Sequence, residues 1–220
     1  ASGIKDATIL LVQGKILSVS KTGDIGELLD GLRPSLNIGV VQTTQSHLPV
    51  LGAYDVVIVG GGTAGSPAGI GAARNGASTL VIEYLHGLGG LGTLGMIGRY
   101  WHGYRNGFTN EVDAGVRAIG GDNPRQRKRL GEWVSDWKTE WLRSELKKAG
   151  GEIWFGVIGI GAYVEDKQVK GVVVATPCGR GVVLGRTIID STGSADIAIA
   201  AGAGYSYTDG TNVAVQGAGL

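Results

Sequence analysis

Cysteine is all but missing from this chain. Cys178 stands alone among 220 residues, which excludes an internal disulfide and any metal site built from several thiolates. The three histidines, His47, His86 and His102, show no metal-ligand spacing, so no metal centre is expected. Neither sign of charge dominates: 20 Lys and Arg against 19 Asp and Glu give a formal +1. That balance gives no reason to expect a nucleic-acid partner. No apolar run approaches the length of a membrane span, so a soluble chain is expected. The first residue is Ala1, which is compatible with a trimmed initiator or a removed targeting segment and leaves the compartment open.

Glycine is the residue in excess, at 41 positions, but clear apolar runs and a 43% hydrophobic content argue for a packed core rather than a low-complexity chain. The glycines are placed with purpose in residues 54–83. An apolar run from Tyr54 to Val59 ends in Gly60-x-Gly62-x-x-Gly65, a helix-length segment follows, and a second apolar run from Ser78 ends in Glu83. Gly60 permits the turn out of the strand, Gly62 lets backbone approach a pyrophosphate, and Gly65 lets helix and strand pack closely. With Thr63 and Ala64 between them, these residues open the helix, where unpaired N–H groups and the dipole favour an anion. Glu83 lies 18 residues after Gly65, where a carboxylate can accept hydrogen bonds from a ribose. An acid there disfavours a 2′-phosphate and therefore NADP.

With Gly69 four positions beyond Gly65, this stretch resembles the FAD-dependent oxidoreductases with a glutathione-reductase-like dinucleotide fold, and most closely a bacterial group of them. The resemblance covers about residues 52–205. It implies an α/β fold: a Rossmann-like FAD-binding domain with a parallel sheet, crossover helices and a β-meander. It also implies that the Gly89-Gly90-x-Gly92-Thr93 element wraps the ribose and pyrophosphate of FAD. Where the family often has Arg or Lys after the acid, this chain has Tyr84, which can stack on adenine but adds no charge. The string Asp190-Ser-Thr192-Gly193-Ser-Ala-Asp196 is similar to the family's second glycine signature, whose Thr-Gly turn passes beside the cofactor. The segment entering the meander, near Ile160, is implied to meet adenine through backbone.

Elsewhere the patterns are structural. Strand-like runs occur at 7–12, 15–20 and 38–42, with a short helix expected around 24–32 and a connector at 43–51. Residues 1–51 form an N-terminal extension, and 52–220 the FAD-binding domain. A helix is expected over 110–119, capped by Asn110 or Thr109 and stopped at Gly120-Gly121. A longer one is expected to start at Pro124 and to bury Trp133, Trp137 and Trp141 on one face. Arg125, Arg127, Lys128 and Arg129 read as a solvated basic face. Strands are expected at 152–157, 160–165, 169–175 and 181–184, with turns at 166–167 and 177–179, before a return strand at 187–190.

One loop has catalytic chemistry. Arg99-Tyr-Trp-His102-Gly-Tyr-Arg105 packs cations, aromatics and a histidine without periodicity. His102 is the candidate proton acceptor, since its ordinary pKa lies near neutrality, and Arg99 and Arg105 are candidate anchors for a substrate carboxylate or a flavin phosphate. The same loop could serve only to fill space. The expected function is the FAD-binding part of an oxidoreductase that moves a hydride between a small organic substrate and flavin N5. An NAD-dependent dehydrogenase and a non-catalytic nucleotide-binding subunit are the alternatives. The first leaves the meander and the 190–196 signature without a role. Because the family completes its flavin site with a later segment, a second polypeptide is expected to finish the domain.

Overall fold

In the computed structural model the described residues are 47–100, 106–121, 123 and 132–206, together with the backbone of three short strands nearer the N-terminus. His102, Arg105, the start of the Pro124 helix, the basic run and the 38–42 strand lie outside them.

The parallel strands β4 (Val50–Val59) and β5 (Thr79–Glu83) carry the apolar runs of the fingerprint region, and β6 (Glu152–Phe155) pairs parallel with β5. Helix α1 (Gly65–Arg74) crosses between β4 and β5. Helices α2 (Phe108–Gly120) and α3 (Ser135–Lys148) lie between β5 and β6 in sequence. An antiparallel meander follows: β7 (Ile158–Glu165), β8 (Gln168–Thr176) and β9 (Gly179–Asp190). Strand β3 (Asp24–Glu27) adds to β7, giving a seven-stranded order β3-β7-β8-β9-β4-β5-β6. Strands β1 (Thr8–Val12) and β2 (Lys15–Val19) make a separate antiparallel hairpin.

The strand period of two splits the core. Ile58 and Val81 face α1, α2 and α3, joining Ile70, Val112, Trp141, Leu142 and Leu146. Val57, Val59, Leu80 and Ile82 face the other way and join Val172, Val174 and Val183 of the meander and Ile197. The sheet therefore curls so that the meander covers the face opposite the helices. Small residues allow the layers to meet: a Cβ at Gly69 would strike Val81, and one at Gly159 would strike Val59. Arg74 joins the three helices by pairing with Glu111 at 2.5 Å and Glu145 at 2.8 Å.

Several expectations need correction. The helix expected around 24–32 is overturned at its start, because Asp24–Glu27 pairs with the edge of β7, where non-local hydrogen bonds override local propensity. Strand β4 begins at Val50, inside the expected connector, because β9 offers a partner there. The strands expected at 181–184 and 187–190 are one strand, β9, which pairs with β8 over 179–184 and with β4 over 182–190, so that 182–184 lie between both partners. Helix α2 begins at Phe108 after Gly107 with no side-chain cap, so neither Thr109 nor Asn110 caps it. Helix α3 starts at Ser135; Glu132 pairs with Arg99 as an isolated bridge, and Trp133 lies outside the helix. The Asp166-Lys167 turn does form, with φ of 50° and 61° suited to a tight hairpin.

Candidate functional site

Strand β4 delivers Gly60, Gly61 and Gly62 to the edge where the parallel strands end. Gly60 has φ +92°, and a Cβ there would collide with the Ser191 carbonyl. The Ser191 N–H donates to the Val59 oxygen at 2.8 Å, closing the seam between the ends of β4 and β9. On the other side, the Gly89 N–H donates to the Gly61 oxygen at 2.8 Å, and Thr63 Oγ1 donates to the Gly89 oxygen at 3.2 Å. Three glycine-rich stretches that are distant in sequence thus meet at one edge.

Each turn is held from within. Glu83 is 8% exposed; its Oε2 accepts the Gly61 N–H at 2.7 Å, and its Oε1 accepts the Leu85 N–H at 2.8 Å. Each carboxylate oxygen keeps a second lone pair for a ligand hydroxyl. Ser66 is fully buried and donates to the Gly61 oxygen at 2.5 Å. Asp190 organises the third stretch: Oδ1 accepts from Thr192 N–H at 3.0 Å and Thr192 Oγ1 at 2.8 Å. Its Oδ2 accepts from the N–H groups of Ile197 at 2.9 Å and Ala198 at 2.8 Å. Those two amides belong to α4 (Asp196–Ala200). Thr192 Oγ1 in turn accepts the Asp196 N–H at 3.0 Å.

The space in front of Gly62 is open. A Cβ there would meet only Gly90 Cα, at 3.9 Å, whereas one at Gly65 would collide with the Gly60 carbonyl. Helix α1 starts beside it with no side-chain cap and no acid in its first turn. An uncapped helix N-terminus, a bare glycine and a buried carboxylate at the next strand end suit the pyrophosphate and ribose of a dinucleotide.

The structure thus brings together Gly60, Gly62, Thr63, Ala64, Gly65, Glu83, Gly89, Gly90, Gly92, Thr93, Thr192, Gly193 and Asp196 around these turns. Tyr84 follows Glu83 and is 62% exposed. Ile160 is half-buried on β7, but the backbone link to Glu83 comes from Val157, whose N–H donates to the Glu83 oxygen at 3.4 Å. Arg99 is exposed, with its backbone bridged to Glu132. Sequence reasoning gives no site role to Asp190, Ser66 or Trp133: Asp190 stands in the 190–196 string as the acid two residues before Thr192, Trp133 reads only as a buried helix residue, and Ser66 carries no signal.

Residues 55–216, most of the chain and all three glycine-rich stretches, match the family model described as FAD dependent oxidoreductase. The chain belongs to this family. Its cofactor is FAD, and the open cradle at Gly62 fits that group. No curated protein matches the sequence. Among solved structures, the FAD-dependent oxidoreductase is similar to a geranylgeranyl bacteriochlorophyll reductase-like protein from Thermoplasma acidophilum. The identity is 25% and the TM-score 0.49, over 69% of this chain and 42% of that one. THI4 from Thermovibrio ammonificans gives 21% identity and a TM-score of 0.46, over 67% and 61%. Glycine oxidase from Bacillus cereus gives 15% and 0.43, over 62% and 54%. The chain thus spans less than two thirds of the length of each.

Proposed function

We propose that this chain supplies the adenosine-binding half of an oxidoreductase that moves a hydride between an organic C–OH or C–NH group and flavin N5. The observation that carries the reading is the meeting of three glycine-rich stretches around the open face of Gly62. Gly60, Gly62, Thr63, Ala64 and Gly65 present the N-terminus of α1 to the pyrophosphate. Glu83 uses its remaining lone pairs to accept from the ribose hydroxyls, and Tyr84 stacks on the adenine, with Ile160 close to the same base. Gly89, Gly90, Gly92 and Thr93 wrap the ribose and pyrophosphate from one side. Thr192, Gly193 and Asp196 do so from the other.

When bound, FAD supplies a two-electron acceptor for the hydride. His102 takes the proton from the substrate hydroxyl or amine, and Arg99 and Arg105 hold a carboxylate on the same substrate. A second polypeptide completes the flavin-ring environment. The side chains of Leu91 and Met96, 69% and 78% exposed beside the cradle, give it an apolar surface to cover.

Visible absorbance of the purified protein tests the cofactor: a flavin spectrum is expected, and a colourless protein with saturable NAD binding would contradict it. His102→Gln tests the chemistry. Flavin content should survive while reduction by substrate slows about 10²–10⁴-fold. Equal loss of flavin and fold would make His102 structural. Native mass spectrometry tests the partner, and a monomeric chain saturated with flavin would exclude it.

A further inference from the structure

A nearly buried lysine stands behind the loop assigned to the cofactor. Lys138, in the first turn of α3, is 5% exposed. Its Nζ lies 3.4 Å from the centroid of the Trp133 ring and 4.9 Å from that of Tyr100. The two rings meet edge to face at 4.6 Å. An ammonium held against ring faces exchanges hydration for attraction to the ring quadrupoles. Burial lowers the pKa of Lys138 to about 8, against the opposing pull of Asp113 on α2, so the amine is still mostly protonated at neutral pH.

This cage touches the loop directly. A Cβ on Gly92 would lie 3.2 Å from Lys138 Nζ and 3.4 Å from Trp133 Cζ2, so the bare face of Gly92 rests on both. Trp133 Nε1 donates to the Gly92 oxygen at 2.5 Å, and its backbone N–H donates to the Gly98 oxygen at 3.0 Å. The neighbouring Thr139 donates to the Leu88 oxygen at 3.3 Å. From the front, the same turn presses on the fingerprint, since a Cβ on Gly90 would lie 3.0 Å from Gly62 Cα. Any retreat of the turn toward α3 therefore changes the space in front of Gly62.

We propose that Lys138 is a positioning residue for the cofactor site: its charge, clamped by Trp133 and Tyr100, holds the Gly90–Thr93 turn against Gly62 in the geometry that receives FAD. The inference rests on the reading of that turn as a cofactor contact. Lys138 acts through Gly92 and Trp133 and needs no contact with the ligand. Its ammonium is a cation fastened to one wall of the cradle. A neutral side chain of the same volume would fill the cage without fastening it.

The test is FAD binding to the full chain, followed by flavin fluorescence, for wild type, Lys138→Met and Lys138→Arg. Met keeps the stem and removes the charge; Arg keeps a cation over the rings. Lys138→Met should weaken FAD binding about tenfold, the scale of one desolvated cation–π contact. Lys138→Arg should stay within about threefold of wild type, as a retained cation–π contact implies. Full affinity in the Met variant, or an Arg variant as weak as the Met one, would overturn the proposal.

If the Met variant does not fold, wild type alone decides. Raising the pH from about 7 to 9 neutralises most of the ammonium, given its value of about 8, and should weaken binding by a similar factor. The other titratable groups facing the cage are Asp113 and the Tyr100 phenol. An affinity flat across that range would sink the proposal. Wild type that takes up no FAD at any pH would instead defeat the reading of the site, and the role of Lys138 with it.

Discussion

The Glu83 carboxylate accepts the Gly61 N–H at 2.7 Å, so the acid at the end of β5 holds the fingerprint turn as well as facing the ligand. A buried backbone amide depends on that side chain. Glu83→Ala should therefore cost about 1–3 kcal/mol of stability in the absence of FAD, the penalty for leaving a buried donor unpaired. Urea unfolding of the flavin-free protein measures it. A midpoint unchanged from wild type would show that Glu83 serves the ligand alone.

Gly62 and Gly65 separate ligand space from protein space. The Cβ of a residue at 62 would meet only Gly90 Cα at 3.9 Å, so Gly62→Val should fold with a melting temperature near that of wild type and retain little flavin. Gly65→Ala should fail earlier, because its methyl would collide with the Gly60 carbonyl and prise α1 off β4. Full flavin occupancy in Gly62→Val would remove the dinucleotide reading of this turn.

Asp190 accepts four hydrogen bonds, two from Thr192 and two from the amides that start α4. Asp190→Ala should cost about 2–4 kcal/mol, more than one charge-assisted bond is worth and less than their sum, since water can reach part of the turn. Flavin retention should fall in parallel, because Ser191 packs directly on Gly60. Thermal unfolding followed with and without FAD would show both effects. Stability lost with flavin retention intact would place the 190–196 turn outside the site.

Lys138 also sets a pH dependence of stability. Its pKa is lowered from 10.5 to about 8, so between these values the unfolded chain binds more protons than the folded one. Stability should therefore rise with pH across that window, by an amount on the order of 3 kcal/mol for a shift of this size. Comparing wild type with Lys138→Met at pH 7.5 and 10 isolates the contribution, and parallel changes in the two proteins would exclude it. FAD affinity should move in the opposite direction over the lower part of the window. That opposition separates the role of the charge in the cage from its burial cost.

By itself the sequence determined what depends on local spacing. The order strand, Gly60-x-Gly62-x-x-Gly65, helix, strand, Glu83 dictated the crossover unit, since strand period, turn glycines and helix length are set by neighbouring residues. The same holds for the Asp166-Lys167 turn, the glycine stop of α2 and the Thr192-Gly193 turn. Tertiary structure decided what depends on distant partners. Asp24–Glu27 is a strand because the edge of β7 is there to pair with. Strand β9 is continuous because β8 pairs with it over 179–184 and β4 over 182–190, the two overlapping at 182–184. Trp133 and Lys138 became parts of one aromatic cage because α3 docks behind Gly92, and no periodicity records that a lysine will lie under a ring rather than in water. Local chemistry thus named the turns. Only the closure of the sheet, joining the ends of β4 and β9 and seating Gly89 on Gly61, made them a single site.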